Sequence, residues 1–247
     1  MSHLKAVILA AGKGTRMKSD LPKVLHEIDG KTMVEYVIDA AREAGAEDIC
    51  LVVGHKAELV KERVGTGVTY ALQEEQLGTG HAVKCAMDFI GTDGDTMILC
   101  GDTPIITGAT LQELLTYHKQ NEMKVTVLST LLEDATGYGR IVRNEAGDFL
   151  KIVEQKDATP EEQAIREINS GMYVFRSADL TGSLMKITNQ NAQNEYYLTD
   201  TIEILNRENA GNQVVVGAMA TNRVDETRGV NTVEQLAEAA EILRKRG

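Results

Sequence analysis

A regular alternation of short apolar runs with amphipathic segments, through the first half of the chain, constrains the fold most. Residues 5–9 form an apolar run that predicts a buried strand and leads into a glycine-rich turn. Strand patterns follow at 48–53, 68–72, 96–100 and 125–130, and helical patterns at 32–44, 57–64, 80–89 and 109–120. This alternation predicts right-handed crossovers and a largely parallel sheet with helices on both faces.

The second half has a different pattern. Strand-like runs at 140–143 and 149–153 flank a turn-rich stretch, which predicts a hairpin. Further patterns predict strands at 168–175 and 213–217, a helix at 197–206, and an amphipathic helix at 232–246. The expected architecture is one α/β domain with antiparallel insertions in its second half and a C-terminal helix.

Composition narrows the class of partner. The 247 residues carry a net charge of −11, which repels the phosphate backbone of nucleic acids but leaves room for a small phosphate ligand at a local cluster of cations. The cysteines Cys50, Cys85 and Cys100 are odd in number and lack C-x-x-C spacing, which disfavours a disulfide framework or a zinc site. No charged leader with a long apolar stretch is present, so we expect a cytoplasmic protein with no membrane partner.

The turn after the first strand has the sequence Leu-Ala-Ala-Gly-Lys-Gly-Thr-Arg-Met at positions 9–17. Its small residues let the backbone approach a ligand and present N–H donors, as a triphosphate requires. A dinucleotide fingerprint fails because Met17 stands where the third glycine belongs. A Walker loop fails because Val7 and Gly14 stand at two of its required positions. A plain strand-to-helix turn remains an equal alternative for this motif alone.

Two cations near this turn strengthen the phosphate interpretation. Arg16 offers a planar fork for phosphate oxygens, and Lys23 offers a compact point charge. Pro22 limits the freedom of the chain just before Lys23. Solvated surface charges are the alternative reading.

An ordered set of motifs then identifies a family. The set runs from the glycine turn through Leu-Pro-Lys-Val-Leu at 21–25 to the following segments: 73–82, 101–104, 137–140, 153–154, 167–171, 194–200 and 229–231. Together these motifs resemble the uridylyltransferase domain of bacterial bifunctional UDP-N-acetylglucosamine pyrophosphorylase / glucosamine-1-phosphate acetyltransferases, within the nucleotide-diphospho-sugar transferase superfamily. The resemblance covers nearly the whole chain, in order.

The resemblance implies an enzyme with a Rossmann-like three-layer fold, built on a mostly parallel mixed sheet. It would use Mg²⁺ to transfer UMP from UTP to N-acetylglucosamine 1-phosphate, releasing pyrophosphate, for cell-wall precursor synthesis. We expect a nucleotidyltransferase domain over 1–230, with a nucleotide-binding half (about 1–130) and a sugar-binding half (about 131–230), then a C-terminal helix at 231–247. The hexapeptide repeats of the acetyltransferase module do not occur in this chain, so acetyl transfer is not expected. Whether the protein forms a homo-oligomer is left open.

Two other functions stay open. One is a related nucleotidyltransferase that uses a different sugar phosphate. The other is a non-catalytic regulatory subunit that binds nucleotide sugars, a role that some relatives of this fold adopt. The presence of Arg16, Lys23 and Asp102 disfavours the second.

Candidate site residues come from position and from the resemblance. Asp102 follows an apolar strand, where open α/β sheets place their sites and where a carboxylate suits Mg²⁺. The resemblance adds Asn231 as a second metal ligand, although its position alone predicts the N-cap of the last helix. We take Arg16, Lys23 and Asp102 as catalytic. The predicted nucleotide-binding residues are Leu9, Ala10, Ala11, Gly12, Gly14, Lys23, Gln73, Gly78, Thr79, Cys100 and Gly101.

The sugar-binding set is implied by the same resemblance. Its members are Gly139, Glu154, Asn169 and Tyr197. Glu and Asn supply the directional acceptors and donors that sugar hydroxyls and an acetamido group require. Ordinary hairpin chemistry explains the first three equally well without the resemblance, and Tyr197 could equally be a core residue. For Gln73 the alternative is a surface position, and for Gly78 and Thr79 a helix cap.

Overall fold

A computed structural model describes residues 3–12, 14–17, 19–210 and 214–246. Its strands are β1 (Leu4–Ala10), β2 (Glu27–Ile28), β3 (Lys31–Thr32), β4 (Asp48–Val53), β5 (Thr69–Leu72), β6 (Asp95–Cys100), β7 (Val125–Leu131), β8 (Arg140–Arg143), β9 (Phe149–Val153), β10 (Glu167–Arg176) and β11 (Val216–Ala220). Its α-helices are α1 (Met33–Glu43), α2 (Ala57–Val64), α3 (Thr79–Lys84), α4 (Met87–Ile90), α5 (Gly108–Gln120), α6 (Pro160–Gln163), α7 (Ser177–Leu184), α8 (Asp200–Glu208) and α9 (Val233–Arg246). Short 3₁₀ turns cover Thr15–Met17, Lys23–Leu25 and Val224–Thr227.

One mixed sheet runs through the molecule in the order β11-β7-β10-β6-β1-β4-β5. Strands β4, β1, β6 and β5 pair in parallel, as do β7 and β11. Strand β10 is antiparallel to both β6 and β7, and β8 with β9 extends from it as an antiparallel hairpin. The expected mostly parallel sheet with antiparallel insertions in the second half is confirmed.

Helices cover both faces of this sheet. Alternate residues of β1 point to opposite faces, so Ala6 and Ile8 join one apolar cluster and Val7 joins the other. Buried residues of α1, α2 and α5 fill the first cluster, and those of α3, α4, α7 and α8 fill the second. The three-layer arrangement is therefore confirmed. No helix in the described part of the chain is long and apolar enough to cross a membrane.

The C-terminal helix α9 packs on the domain. Ala239 joins a small apolar cluster with Ile28, Met33 and Val230. Arg244 pairs with Asp29, with a contact of 2.9 Å between Nε and Oδ2. These contacts place α9 beside the loop that carries Asn231.

Three predicted elements differ from the structure. The helix at 80–89 is broken at Cys85–Ala86, because Ala86 N bonds to Val83 O in a 3₁₀ turn. The helix at 197–206 begins only at Asp200, since the preceding backbone is hydrogen-bonded to the start of α3. The strand predicted at 213–217 has different bounds: its first residue lies outside the described residues, and β11 pairs with β7 over Val216–Ala220.

The α6 and α7 helices and the β2–β3 hairpin were not predicted. Helix α7 has the sequence Ser-Ala-Asp-Leu-Thr-Gly-Ser-Leu, whose Ser, Thr and Gly have low helix propensity. Burial of Leu180 and Leu184 against the sheet stabilises it instead. Tertiary packing overrides local preference in this segment.

The N-terminus of α1 gives a stability prediction. Thr32 is buried, and its hydroxyl accepts a hydrogen bond from Glu35 N. In return, Thr32 N donates to Glu35 Oε2 at 2.8 Å, which completes a capping box. We expect Thr32→Ala to lower the free energy of unfolding by about 1 kcal/mol, up to about 2. Urea unfolding measures the change. Thr159→Ala removes the same motif from the exposed four-residue helix α6, so it should cost clearly less; equal losses would contradict a role for burial.

Candidate active site

The carboxyl ends of three parallel strands meet at one edge of the sheet. The glycine turn follows β1, Gln73 follows β5, and Asp102 lies two residues after β6. Backbone hydrogen bonds join these ends: Gly101 N donates to Leu9 O at 2.9 Å, and Gln73 N donates to Val53 O at 2.8 Å. In open α/β sheets, ligands bind in the crevice outside the carboxyl ends of the strands.

A cavity of about 330 Å³ opens at this edge. Ten of the predicted site residues line it: Leu9, Ala10, Ala11, Gly12, Lys23, Gln73, Gly78, Thr79, Cys100 and Asp102. Gly14 and Gly101 do not line it. A larger cavity, of about 520 Å³, lies between α9 and residues 131–134 and includes none of the predicted site residues. Nine of the eleven residues predicted to bind nucleotide therefore line the first cavity.

Gly14 has a supporting position beside this cavity. Its φ is +61°, and a Cβ built there would lie 2.5 Å from Cβ of Lys23. A side chain at position 14 would therefore push Lys23 away. Met17, which occupies the place of a third dinucleotide glycine, is buried at 2% exposure and fills the core under the turn. The turn differs from a dinucleotide loop for this physical reason.

Four predicted residues from distant parts of the chain form one polar network. Lys23 Nζ donates to Asp102 Oδ2 and, at 2.6 Å, to Asn231 Oδ1. Arg16 Nη2 donates to the same Asn231 oxygen at 2.7 Å. The Lys23 side chain is 12% exposed and that of Asp102 27%, so solvent screens their ion pair only in part. Val230 N donates to Asp102 O at 2.8 Å and holds the Asn231 loop against β6.

The same two oxygens fit a divalent cation. Asp102 and Asn231 turn a carboxylate oxygen and an amide oxygen toward one point, at which the Lys23 ammonium now stands in for a cation. Hard oxygen donors of this kind suit Mg²⁺, which is usually held by one or two protein carboxylates together with substrate oxygens. Within the described ranges no group of three or more His, Cys, Asp or Glu side chains could hold a metal. A metal here would therefore complete its shell with water or phosphate.

Asn231 is not the N-cap of the last helix. Thr232 takes that place, because its hydroxyl accepts from Gln235 N at 3.2 Å while Gln235 Oε1 accepts from Asn231 N and Thr232 N. The Asn231 side chain is left to face Arg16 and Lys23. The interpretation as a cap is wrong because the neighbouring threonine caps the helix.

One wall of the cavity is formed by Gly78 and Thr79 at the start of α3. Hydrogen bonds to residues 195–198, a segment from the second half of the chain, hold this wall in place. Gly80 N donates to Tyr196 O at 2.8 Å, and Tyr196 N donates to Leu77 O at the same distance. The Thr79 hydroxyl accepts from Leu198 N at 3.1 Å. Gln73 is buried at 3% exposure, and its Nε2 contacts Gly78 O and His81 Nδ1, both at 3.1 Å.

Three of the predicted sugar-binding residues come together near this wall. Asn169 N donates to Gly139 O at 2.9 Å, and a Cβ built on Gly139 would lie 3.5 Å from both carboxylate oxygens of Glu154. The Asn169 side chain is used within the protein, since it donates to Tyr173 Oη at 2.8 Å and accepts from Gly171 N. The Cys100 thiol contacts Gly171 O at 3.4 Å, which links this cluster to the cavity.

Tyr197 is buried and its hydroxyl is already engaged. It donates to Asp157 Oδ2 at 3.1 Å and accepts from Gln193 Nε2 at 2.8 Å. Burial raises its pKa to about 12, with further contributions from Asp157 and Glu154. Its ring could still contact a ligand, but its hydroxyl already makes two hydrogen bonds within the protein.

The surroundings of Glu154 are acidic. Burial raises the pKa of Glu154, and the nearby carboxylates of Asp157 and Glu195 add to the shift, although a hydrogen bond from Thr199 at 3.1 Å opposes it. The pKa of the Cys100 thiol rises to about 12, first through burial and then through Asp102. The thiol therefore stays protonated and acts by contact.

Asp200, at the start of α8, gives a pH-dependent prediction. Burial, then Glu203, Glu154 and Asp157, raises its pKa from 3.8 to about 6. A raised folded-state pKa means that the charged form destabilises the fold above about pH 6, and that this penalty disappears toward pH 4. Asp200→Asn should therefore raise the free energy of unfolding at pH 8 by about 1 kcal/mol, after allowance for screening by solvent. Urea unfolding at pH 8 and pH 4 tests this; a gain that persists at pH 4 would contradict the titration.

Four cavity residues, Val24, Gln76, Ala82 and Glu195, were absent from the predicted set, and two of them are polar. Gln76 lines the cavity and its Nε2 donates to Ala11 O at 2.9 Å, which closes the glycine turn. Glu195 lines the opposite side. Gln76 falls inside the motif at 73–82, so the motif was a usable signal. The position of Glu195 depends on how residues 195–198 cross the start of α3.

Comparisons with known proteins agree with this geometry. A family model described as nucleotidyl transferase matches residues 5–220. The chain is 53% identical over 246 residues to the bifunctional protein GlmU of Thermoanaerobacter pseudethanolicus and 48% identical over 244 residues to that of Clostridioides difficile. These matches cover 100% and 99% of this chain but 53% and 52% of the relatives, so the chain spans about half their length.

The fold has a solved counterpart. A crystal structure of UDP-glucose pyrophosphorylase complexed with UDP-glucose aligns with a TM-score of 0.79, at 19% identity, over 99% of this chain and 100% of that one. At that identity the likeness concerns the fold. The family model covers most of the sequence, and the residues that line the cavity lie mainly within the part it matches. The chain therefore belongs to the nucleotidyl transferase family.

Proposed function

We propose that this chain transfers UMP from UTP to N-acetylglucosamine 1-phosphate, giving UDP-N-acetylglucosamine and pyrophosphate. The observation that carries the proposal is the junction of two features. A cavity lined by Gln73 and the glycine turn opens onto a network of Lys23, Asp102 and Asn231, with Arg16 at its edge. A nucleotide base and its phosphates require these two environments side by side. The 50%-identical GlmU relatives support the same reaction.

The residues fit the electrostatic demands of that reaction. A phosphate oxygen of the sugar phosphate would attack the α-phosphorus of UTP, and pyrophosphate would leave on the opposite side. Both reactants are anions, so the protein must offset their repulsion and align them. Arg16 and Lys23 would contact the triphosphate and the charge that develops on the leaving group. The attacking oxygen is already ionised, so no strong general base is needed.

Asp102 and Asn231 would hold the Mg²⁺. When bound, the ion supplies positive charge that neutralises phosphate oxygens and orients them. The amide of Asn231 adds a ligand without adding negative charge next to the triphosphate.

Gln73 offers a hydrogen-bond acceptor to a base. Its Nε2 points at Gly78 O, an acceptor, and at His81 Nδ1, so its Oε1 remains as the acceptor for a base. Uracil could donate its N3–H to this oxygen. The cavity that Gln73 lines also has the small residues Ala10, Ala11 and Gly12 along one side.

The second half of the chain would bind the sugar. Gly139, Glu154 and Asn169 lie close to one another, and Tyr197 contacts Asp157, three residues after Glu154. The Glu154 carboxylate could accept from sugar hydroxyls. Gly139 lacks a side chain that would crowd this carboxylate, because a Cβ there would lie 3.5 Å from both of its oxygens. This proposal divides the domain into a nucleotide-binding half and a sugar-binding half, in a protein of the cytoplasm.

Pyrophosphate release tests the proposal directly. The chain is incubated with each of UTP, CTP, GTP and dTTP, and with N-acetylglucosamine 1-phosphate, glucosamine 1-phosphate or glucose 1-phosphate, with and without Mg²⁺. We expect the UTP and N-acetylglucosamine 1-phosphate pair to turn over fastest, and only with the metal. A faster reaction with another sugar phosphate would replace the proposed substrate. Nucleotide binding without turnover for every pair would indicate a regulatory subunit.

A further inference from the structure

The two cations of the site contact the protein's own oxygens. Lys23 donates to both Asp102 and Asn231, and Arg16 donates to Asn231. An amide oxygen has two lone pairs, and these two hydrogen bonds, of 2.6 Å and 2.7 Å, use both on Asn231. The Asn231 oxygen is therefore saturated by internal cations, and the Asp102 oxygen that faces the same point is already paired with Lys23.

A metal and the Lys23 ammonium cannot share this place. A cation bound by both oxygens would stand where Nζ now stands, because Nζ is within hydrogen-bonding distance of both. Lys23 is only 12% exposed, so charge repulsion from an incoming divalent ion would be poorly screened. The ammonium must move before the ion can bind.

A triphosphate supplies the reason for Lys23 and Arg16 to move. It carries several negative charges and many acceptor oxygens, and it would bind in the cavity that Lys23 lines. Transferring the two cations to phosphate would leave Asp102 and Asn231 with free lone pairs. The negative charges of the triphosphate would then attract the metal into the position that Lys23 had left.

We propose that Lys23 and Arg16 act as an internal cation lock on the metal ligands, so that the free enzyme binds divalent metal weakly and the triphosphate opens the site. This inference rests on the proposed function, since it takes the same nucleotide and metal. Linkage makes the effect reciprocal: the factor by which triphosphate tightens metal binding is the factor by which metal tightens triphosphate binding.

Binding of Mn²⁺ to the nucleotide-free protein tests the lock without any turnover. Mn²⁺ prefers the same oxygen ligands as Mg²⁺, and electron paramagnetic resonance reports the unbound ion. We expect Lys23→Met to bind Mn²⁺ at least about 10-fold more tightly than the parent protein, within the usual range of coupling between two sites. The double variant Lys23→Met/Asp102→Asn should lose this gain, which assigns the ion to Asp102.

Two further variants keep the test decisive. Lys61→Met removes an ammonium from beside Glu58 on the surface and makes the same change in net charge, so it should leave Mn²⁺ affinity unchanged. Arg16 is exposed, so Arg16→Met should fold even if Lys23→Met does not; it frees one lone pair of Asn231 and should tighten binding by a smaller factor, about 3-fold.

Tight Mn²⁺ binding to the parent protein at Asp102, or equal affinities for Lys23→Met and Lys61→Met, would overturn the lock. Neither result bears on which nucleotide or sugar the enzyme uses. Failure of the substrate assay would in turn leave the Mn²⁺ result standing, because that titration contains no substrate.

Discussion

Asp102→Asn is expected to lower Mg²⁺-dependent pyrophosphate release by at least about 10²-fold while the protein remains folded. Asp102 lines the cavity two residues after β6, and it contributes a negative charge next to the point where Lys23 now stands. Asparagine keeps the shape and one oxygen but lacks the charge that holds a divalent cation. Loss of one preorganised charged contact commonly costs about 10²–10³ in rate.

The fold should tolerate this change. The Asn side-chain oxygen can still accept from Lys23, so we expect a stability cost of about 1 kcal/mol. Steady-state kinetics across a Mg²⁺ titration, together with urea unfolding, separates the two effects. The matched control is Asp88→Asn, the same substitution at an exposed position in α4. A rate within a few-fold of the parent for Asp102→Asn would exclude Asp102 from the metal site.

Gly78→Ala is expected to give the second largest effect, on both nucleotide binding and stability. Gly78 has a φ of +107°, and a Cβ built there would lie 2.6 Å from Tyr196 O and 2.9 Å from Tyr196 N. The backbone strain costs about 1–2 kcal/mol, and forcing atoms into a packed contact costs about 1–3 kcal/mol more. Because Tyr196 belongs to the segment that fastens the cavity wall, relief of the clash should displace that wall.

We therefore expect Gly78→Ala to raise KM for the nucleotide at least about 10-fold and to lower the urea midpoint. Gly147→Ala is the matched control, since Gly147 has a φ of +88° with nothing within 4 Å of its built Cβ. It incurs the strain without the clash and lies in the β8–β9 turn. Equal urea midpoints and an unchanged KM for the two variants would show that contact with Tyr196 does not shape the site.

The positions of residues that closely follow a strand could be predicted from the sequence. Gln73 and Asp102 each lie within two residues of a strand end, so the parallel run of strands β6-β1-β4-β5 brings them to one edge. Local pattern was enough to place them. It was not enough for the segment at 197–206, where hydrogen bonds to α3 delay the start of α8 to Asp200. It also placed β11 three residues too early, because the bounds of that strand depend on its pairing with β7.

Asn231 shows the limit most clearly. Its position before the last helix predicted a cap, and only the family resemblance suggested a metal ligand. The structure gives the cap to Thr232 and turns the Asn231 amide toward Arg16, 215 positions away in the sequence. No local rule distinguishes two neighbouring residues that are both good caps; contact with the rest of the fold does.

The amino-acid sequence by itself determined the alternation of strands and helices, the glycine turn with its cations, and the family, because each depends on periodicity or on residues adjacent along the chain. Only the tertiary structure decided that Lys23 donates to the oxygens of Asp102 and Asn231, and that residues 195–198 bond to the start of α3 with Glu195 lining the cavity. Those contacts join segments from about 80 to about 210 residues apart. Their energies depend on distance, burial and the absence of screening water, which exist only after the chain has folded.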